Sequence, residues 1–246
     1  ARVGLRHQVA SFGADGDETL VLTGEEVAER GLGTPLPLVA QKRKDGSNAF
    51  VCPQPLLAKD RVLFVGDNLA FIVAETVNQA KDAAELIDVD FDPLPVNVRV
   101  ADAMKPDAPP LWEDCPDNIA FYREFGDKAA TEVAFAKADH VIKRNLVVNR
   151  VTTNSIEPRG CIAQFDAFDD RYHLRATMQG PHTIRAVLAN NIFKEPISKF
   201  HVFCDDVGGG FGMKGSCYPE YALSMWASEI LHRPVKWLSE RSDGLL

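Results

Sequence analysis

The chain has 246 residues, 46% of them hydrophobic and 25% charged. That composition excludes disordered, collagenous and coiled-coil chains and allows a full core in one or two domains. Its 35 acidic residues outweigh 27 basic ones, for a formal net charge of −8, which argues against a nucleic-acid partner, since such binding needs Lys and Arg on phosphates. No apolar run approaches the ~20 residues that span a bilayer.

The start, Ala1-Arg2-Val3-Gly4, has neither an initiator Met nor a signal peptide. The end, Ser242-Asp243-Gly244-Leu245-Leu246, follows a strand-like run without a closing element. Both read as cut ends: either the true N-terminus was removed or the chain is an internal piece of a larger protein. Cys52, Cys115, Cys161, Cys204 and Cys217 are odd in number, widely spaced and form no C-x-x-C pair. Free thiols in a reducing, cytoplasmic setting are expected, with no metal ligand from this chain. The histidines are scattered, with no H-E-x-x-H arrangement, and read as structural.

In chain order, Val21-Leu22-Thr23-Gly24 reads as a strand end capping a short acidic helix, followed by a Gly/Pro loop over residues 31–37. Lys42-Arg43-Lys44-Asp45-Gly46 is a basic turn. The apolar runs 62–65 and 69–74, separated by Gly66-Asp67-Asn68, predict a hairpin. Val77, Ala80, Ala84 and Ile87 recur at helical spacing and predict a helix over 76–87. Val89-Asp90-Phe91 resumes strand, so the block reads β-β-α-β. The Pro-rich residues 101–120 read as a linker. A short helix over 131–138 and an extended segment over 141–151 follow. Residues 161–165 and 172–178 predict a hairpin across Asp169-Asp170. Pro181 suits the first turn of a helix facing inward through Ile184, Val187 and Leu188. A strand over 201–204 leads into a glycine loop and a helix over 219–231, whose Leu223, Trp226, Ala227, Ile230 and Leu231 mark one face.

That loop, Asp206-Val207-Gly208-Gly209-Gly210-Phe211-Gly212-Met213-Lys214-Gly215, carries four glycines in residues 208–212. Glycine permits positive φ and close backbone approach, so the loop can present backbone N–H groups to an anionic ligand or a metal-bound oxygen. A P-loop and a dinucleotide fingerprint both fail at Met213. A purely structural bend is the other reading.

Glu157-Pro158-Arg159, Thr177-Met178-Gln179-Gly180-Pro181-His182, Gly208-Gly209-Gly210-Phe211-Gly212-Met213-Lys214, Tyr218-Pro219-Glu220-Tyr221, Arg233-Pro234-Val235-Lys236-Trp237 and Glu240-Arg241-Ser242 occur in that order. The series resembles the large, molybdopterin-binding subunit of the molybdenum hydroxylases (the xanthine dehydrogenase, aldehyde oxidoreductase and carbon monoxide dehydrogenase superfamily). The resemblance implies an α+β fold: an α/β hammerhead domain, residues 1–115, followed by the first part of a mixed α/β molybdopterin-binding domain, residues 116–246. It implies that Gly209, Gly210, Phe211 and Gly212 lie against the molybdenum and its pterin, with the Phe211 N–H near a metal oxygen. Gln179 would stand beside the apical ligand, making Gln179 and Phe211 the catalytic candidates. The pterin, not the protein, holds the metal, so no metal-ligating residue is expected here.

The implied reaction inserts water-derived oxygen into a C–H bond of an aldehyde or N-heteroaromatic substrate. The cofactor is molybdenum–molybdopterin, bare or as its cytosine dinucleotide. Electrons leave through 2Fe-2S and FAD on partner chains, an iron–sulfur subunit and an FAD subunit. The family's base, a glutamate in a Gly-x-Gly-Glu segment, has no counterpart in this sequence. A second molybdopterin subunit or a C-terminal segment must supply it. Glu157, Arg159 and Glu220 read instead as ion-pairing or positioning residues. Lys214 reads as offsetting pterin phosphate, or as a solvated or ion-paired lysine. Gly215, where xanthine enzymes carry an acidic residue, argues against a purine. The competing reading is a non-catalytic assembly or binding module that keeps the fold without cofactor.

Overall fold

The structure, a computed structural model, describes residues 19–36, 41–149 and 151–244 and the backbone of residues 6–11. The ends read above from residues 1–4 and 245–246, Pro37 of the expected loop and Arg150 of the expected extended segment lie outside the described residues. The elements in chain order are β1 (Arg6–Ser11), β2 (Leu20–Thr23), α1 (Gly24–Arg30), β3 (Asn68–Ala74), α2 (Val77–Glu85), α3 (Val100–Ala103), α4 (Lys128–Lys137), β4 (Gly160–Asp166), β5 (Arg171–Ala176), α5 (Pro181–Val187), β6 (Phe200–Phe203), α6 (Pro219–Leu231) and β7 (Val235–Leu238). They belong to two compact units that alternate along the chain, one of residues 1–36, 53–93 and 152–246, the other of residues 37–52 and 94–151.

In the first unit the described strands form one mixed sheet, ordered β2-β3-β1-β7-β4-β5-β6. β1 runs parallel to β3 and antiparallel to β7, which pairs on its other side with β4. The predicted hairpin forms between β4 and β5, with Phe165 opposite Tyr172. Tyr172, Leu174 and Ala176 alternate inward along β5, as the strand period of 2 requires. Against this face lies α6, whose residues 220–228 are all buried. Ser224 and Ser228 are satisfied there: the Cys161 thiol meets the Ser224 hydroxyl at 3.5 Å, and Ser228 Oγ accepts the Phe165 N–H at 2.9 Å. Pro181 opens α5, with Ile184 and Val187 buried, and the helix widens into a π-helical turn over Leu188–Phe193. Tyr172, Phe193 and Phe200 then stack with centroids 4.8 to 5.3 Å apart.

At the other end of the sheet, α2 forms as predicted. Thr76 Oγ1 accepts the Gln79 N–H at 3.2 Å and Gln79 Oε1 accepts the Thr76 N–H at 2.9 Å, a reciprocal cap. Ala80 then packs on Ile72 and Ala74. The expected hairpin does not form. Residues 62–65 are in no strand, and Phe64 and Val65 are each half exposed. The Asp67 carboxylate accepts the N–H groups of Leu63 and Phe64 at 2.6 and 3.3 Å, taking the donors a ladder would use. Residues 89–91 are likewise in no strand, so β-β-α-β reduces to β3-α2.

In the second unit the Pro-rich stretch is not a loose linker. The Asn118 side chain accepts the Leu111 N–H at 2.8 Å and donates to the Ala103 and Pro109 carbonyls, pinning successive turns. Cys115 is buried. α4 is capped by Asp127, whose side chain accepts the Ala130 N–H at 2.9 Å, and it buries none of its residues. The segment expected to be extended is in no strand over 141–149, and Ile142, Leu146 and Val147 are exposed. Among the described residues no helix is long and apolar enough to cross a membrane.

Candidate functional site

Two chain turns in the first unit meet at the glycine loop. At the end of β5, Gly180 takes φ +84° so that the chain can reverse into α5, leaving Gln179 exposed at the corner. After β6, the loop runs through residues 204–212 into a short 3₁₀ turn, Met213–Gly215, before α6 begins.

Gln179 is docked on that loop by two bonds. Its N–H donates to the Lys214 carbonyl at 2.8 Å, and its Oε1 accepts the Gly212 N–H at 2.9 Å. The second bond fixes the sense of the amide, because only an oxygen accepts from a backbone N–H. Nε2 is thereby left as a donor, and no acceptor meets it among the described residues. Gly210 lies directly beneath: a Cβ there would fall 2.4 Å from Gln179 Oε1 and 2.5 Å from its Cδ.

The loop's backbone is wound into unusual conformations. Gly209 and Gly212 take φ +93° and +88°, and Phe211 takes φ +50°. A phenylalanine in the left-handed region stores ~1–3 kcal/mol of strain, which the surroundings must hold in place. The residue is 72% exposed, so packing does not repay that strain. No acceptor among the described residues meets the Phe211 N–H. The N–H groups of Gly208, Gly209, Gly212 and Met213 are already donated to Glu157, Val207, Gln179 and Gly210, so among the described residues those of Gly210 and Phe211 are the loop's spare backbone donors, and spare backbone N–H groups can receive an anion. The glycine-floored cradle, the unmet Gln179 Nε2 donor and the spare Phe211 N–H fit an oxygen-rich anionic group.

The charged residues nearby are paired. Lys214 is completely buried, and its Nζ lies 2.6 Å from Glu157 Oε2. The same oxygen accepts the Gly208 N–H at 2.8 Å, and the Glu157 N–H returns a bond to the Gly208 carbonyl at 3.2 Å. Burial works to raise the Glu157 carboxyl. The Lys214 and Gly208 hydrogen bonds, with the lysine charge, outweigh it and hold the group below its ordinary value. Arg159 pairs with Glu220 at 3.1 Å in the core, its guanidinium 3.9 Å from the Tyr218 ring centroid. The Arg241 guanidinium grips the Asn154 side chain at 3.0 Å and the Ser155 and Ile156 carbonyls. All three charged motifs thus support the loop region, and Lys214 is ion-paired, not free to meet a phosphate.

Gln179, Gly209, Gly210, Phe211 and Gly212, singled out from the sequence, are therefore brought together. The Glu157–Lys214 contact was missed: 57 residues separate the partners, and only their shared occurrence in recognisable motifs hinted at it. Among the described residues no group of three or more His, Cys, Asp or Glu could hold a metal ion.

Residues 111–246 match the molybdopterin cofactor-binding domain, and residues 33–95 match the aldehyde oxidase and xanthine dehydrogenase a/b hammerhead domain. The chain is 40% identical to the carbon monoxide dehydrogenase large chain of Afipia carboxidovorans, over 78% of this chain and 25% of that one. It is 34% identical to the nicotine 6-hydroxylase large subunit of Paenarthrobacter nicotinovorans, over 84% of this chain and 25% of the relative. Quinoline 2-oxidoreductase from Pseudomonas putida 86 superposes with a TM-score of 0.80 at 28% identity, covering all of this chain and 32% of that structure. The chain thus spans about a quarter of the length of the curated relatives.

Proposed function

Because the chain belongs to the molybdenum hydroxylase family, as a part of its large subunit that matches the hammerhead and molybdopterin-binding domains, we propose that it builds one wall of a molybdenum–molybdopterin site. One observation carries the reading: exposed Gln179 spends its amide oxygen on the Gly212 N–H and keeps its Nε2 as a donor that no acceptor meets among the described residues. A neutral donor placed this way orients an oxygen-bearing group without adding charge. The strained Phe211 N–H is a second fixed donor, and Gly209, Gly210 and Gly212 let the backbone close on the group. Gln179 and Phe211 are the residues of this chain that touch the reacting centre.

When bound, the molybdenum cofactor supplies the activated water and the two-electron oxidant that hydroxylate an electron-poor carbon. This chain binds and orients; it does not move the proton. The Glu157 carboxylate beside the loop is held by Lys214 and Gly208. The base is a glutamate on another segment or subunit. The substrate is an N-heteroaromatic or an aldehyde; the nicotine- and quinoline-oxidising relatives support the former. Electrons pass to 2Fe-2S and FAD partner chains in the cytoplasm, and the pterin is bare or carries a cytosine dinucleotide. The functional division falls near residue 115, hammerhead before and cofactor-binding part after.

The test is to isolate the protein from its native host and measure molybdenum, pterin nucleotide, iron and flavin, then turnover on nicotine, quinoline, an aldehyde and carbon monoxide. Stoichiometric molybdenum with turnover of a ring or aldehyde supports the reading. Absence of molybdenum leaves the assembly-module alternative. Turnover of carbon monoxide alone overturns the C–H substrate class.

A further inference from the structure

We propose that Glu157 and Lys214 form a positioning couple that fastens both ends of the glycine loop and thereby sets the angle at which Gln179 presents its amide; this rests on the cofactor-site reading above. A fully buried lysine is costly to desolvate unless it is paired, so one this close to a surface loop calls for a purpose. Its ammonium has Glu157 as its ion-pair partner, at 2.6 Å. Glu157 Oε2 is shared between that ammonium, at the far end of the loop, and the Gly208 N–H, at the near end. The loop between them contains every residue of the cradle.

The couple also reaches Gln179. The Lys214 carbonyl holds the Gln179 N–H, so displacement of Lys214 moves the backbone on which the amide is mounted. Glu157 is braced from behind, because Arg241 clamps the carbonyls of Ser155 and Ile156, and Ser155 Oγ donates to the Glu157 carbonyl at 2.8 Å. Gly208 must be glycine for this: a Cβ there would lie 2.6 Å from Glu157 Cβ. The pair is neutral overall, so it fixes the loop without placing a net charge beside an anionic cofactor. Neither side chain touches the reacting group; both act through the loop.

The test uses the full-length protein from its native host and two variants. Glu157→Gln keeps the shape but strands the lysine charge. Glu157→Ala with Lys214→Met removes the buried charge together with the acceptor of the Gly208 N–H, so no charge is stranded while the fastening is lost. Measured are molybdenum and pterin per chain, amide exchange at Gly208 and Gly212 in cofactor-free protein, and the Mo(V) electron paramagnetic resonance spectrum. The couple predicts exchange at least tenfold faster in the double variant, with far-UV circular dichroism unchanged. It also predicts a 10- to 100-fold loss of turnover per molybdenum, the range for partners that orient a metal site, with an altered Mo(V) signal. A double variant with wild-type exchange and a wild-type Mo(V) spectrum overturns the couple. Wild-type protein lacking molybdenum overturns the cofactor reading instead, so the two failures are distinguishable.

Discussion

Replacing Gly210 with alanine isolates the geometry of Gln179. Gly210 is not in the left-handed region, so an alanine meets no backbone strain there. The three nearest atoms to its new methyl all belong to Gln179, at 2.4, 2.5 and 2.8 Å. Ordinary contact begins at 3.4 Å, so the amide must retreat by about 1 Å, since contacts shorter than van der Waals distance are strongly repulsive. A retreat of that size takes Oε1 out of reach of the Gly212 N–H, now at 2.9 Å. The lost bond costs ~1 kcal/mol, which lowers the melting temperature by roughly 2–4 °C in a protein this size. The effect on turnover is larger, because a 1 Å misplacement near a reacting centre costs ~100-fold, or ~2.7 kcal/mol of transition-state stabilisation. Steady-state kcat/KM with a dye acceptor measures this directly. In a Gln179→Ala background the methyl has nothing to displace, so Gly210→Ala should cost little more, a strong coupling in the double-mutant cycle. Near-wild-type kcat/KM for Gly210→Ala, or additive losses in the cycle, would refute the reasoning.

The other predictions concern the supporting groups. Arg159→Ala leaves the Glu220 carboxylate without its 3.1 Å guanidinium partner in the core, for ~3–5 kcal/mol; calorimetry should show a melting temperature lower by roughly 10 °C, and an unchanged melt contradicts it. Glu157 is held below its ordinary 4.5. A depressed carboxylate stabilises fully above its unfolded value and loses that contribution as pH falls through the folded one. Wild-type stability should therefore fall more steeply below about pH 4.5 than that of Glu157→Gln, as read by denaturant titration across pH. Burial pushes the Cys161 and Cys217 thiols up to about 12; both should resist iodoacetamide at pH 8 in the native protein and react once it is unfolded, as mass spectrometry will show.

Much of the sheet-and-helix layer around the site was legible, because its signals are local. α6 carries a clear apolar face, Pro181 and Gly180 mark the entry to α5, and the Thr76-x-x-Gln79 cap opens α2. The glycine run marked the loop but fitted a structural bend equally well; Gln179, Gly209, Gly210, Phe211 and Gly212 were singled out as a set through the family resemblance. Local reading failed where a side chain redirected the backbone. Asp67 captured the donors of residues 63 and 64 and removed a predicted hairpin, and Asn118 knitted an apparent linker into turns. It failed again where partners lie far apart. Nothing in the sequence sets β7 between β1 and β4, or seats the Lys214 ammonium against Glu157. A lysine beside four glycines looks like a solvated or phosphate-binding charge until its burial is known.

The central claim is that Gln179 and the loop of Gly209, Gly210, Phe211 and Gly212 receive the molybdenum cofactor. Anomalous diffraction at the molybdenum absorption edge, from crystals of the protein isolated from its native host, locates the metal without assumptions about chemistry. The account predicts one anomalous peak in front of the Gln179 Nε2 donor and the Phe211 N–H. A peak elsewhere, with the glycine loop facing bulk solvent or another chain, would contradict it.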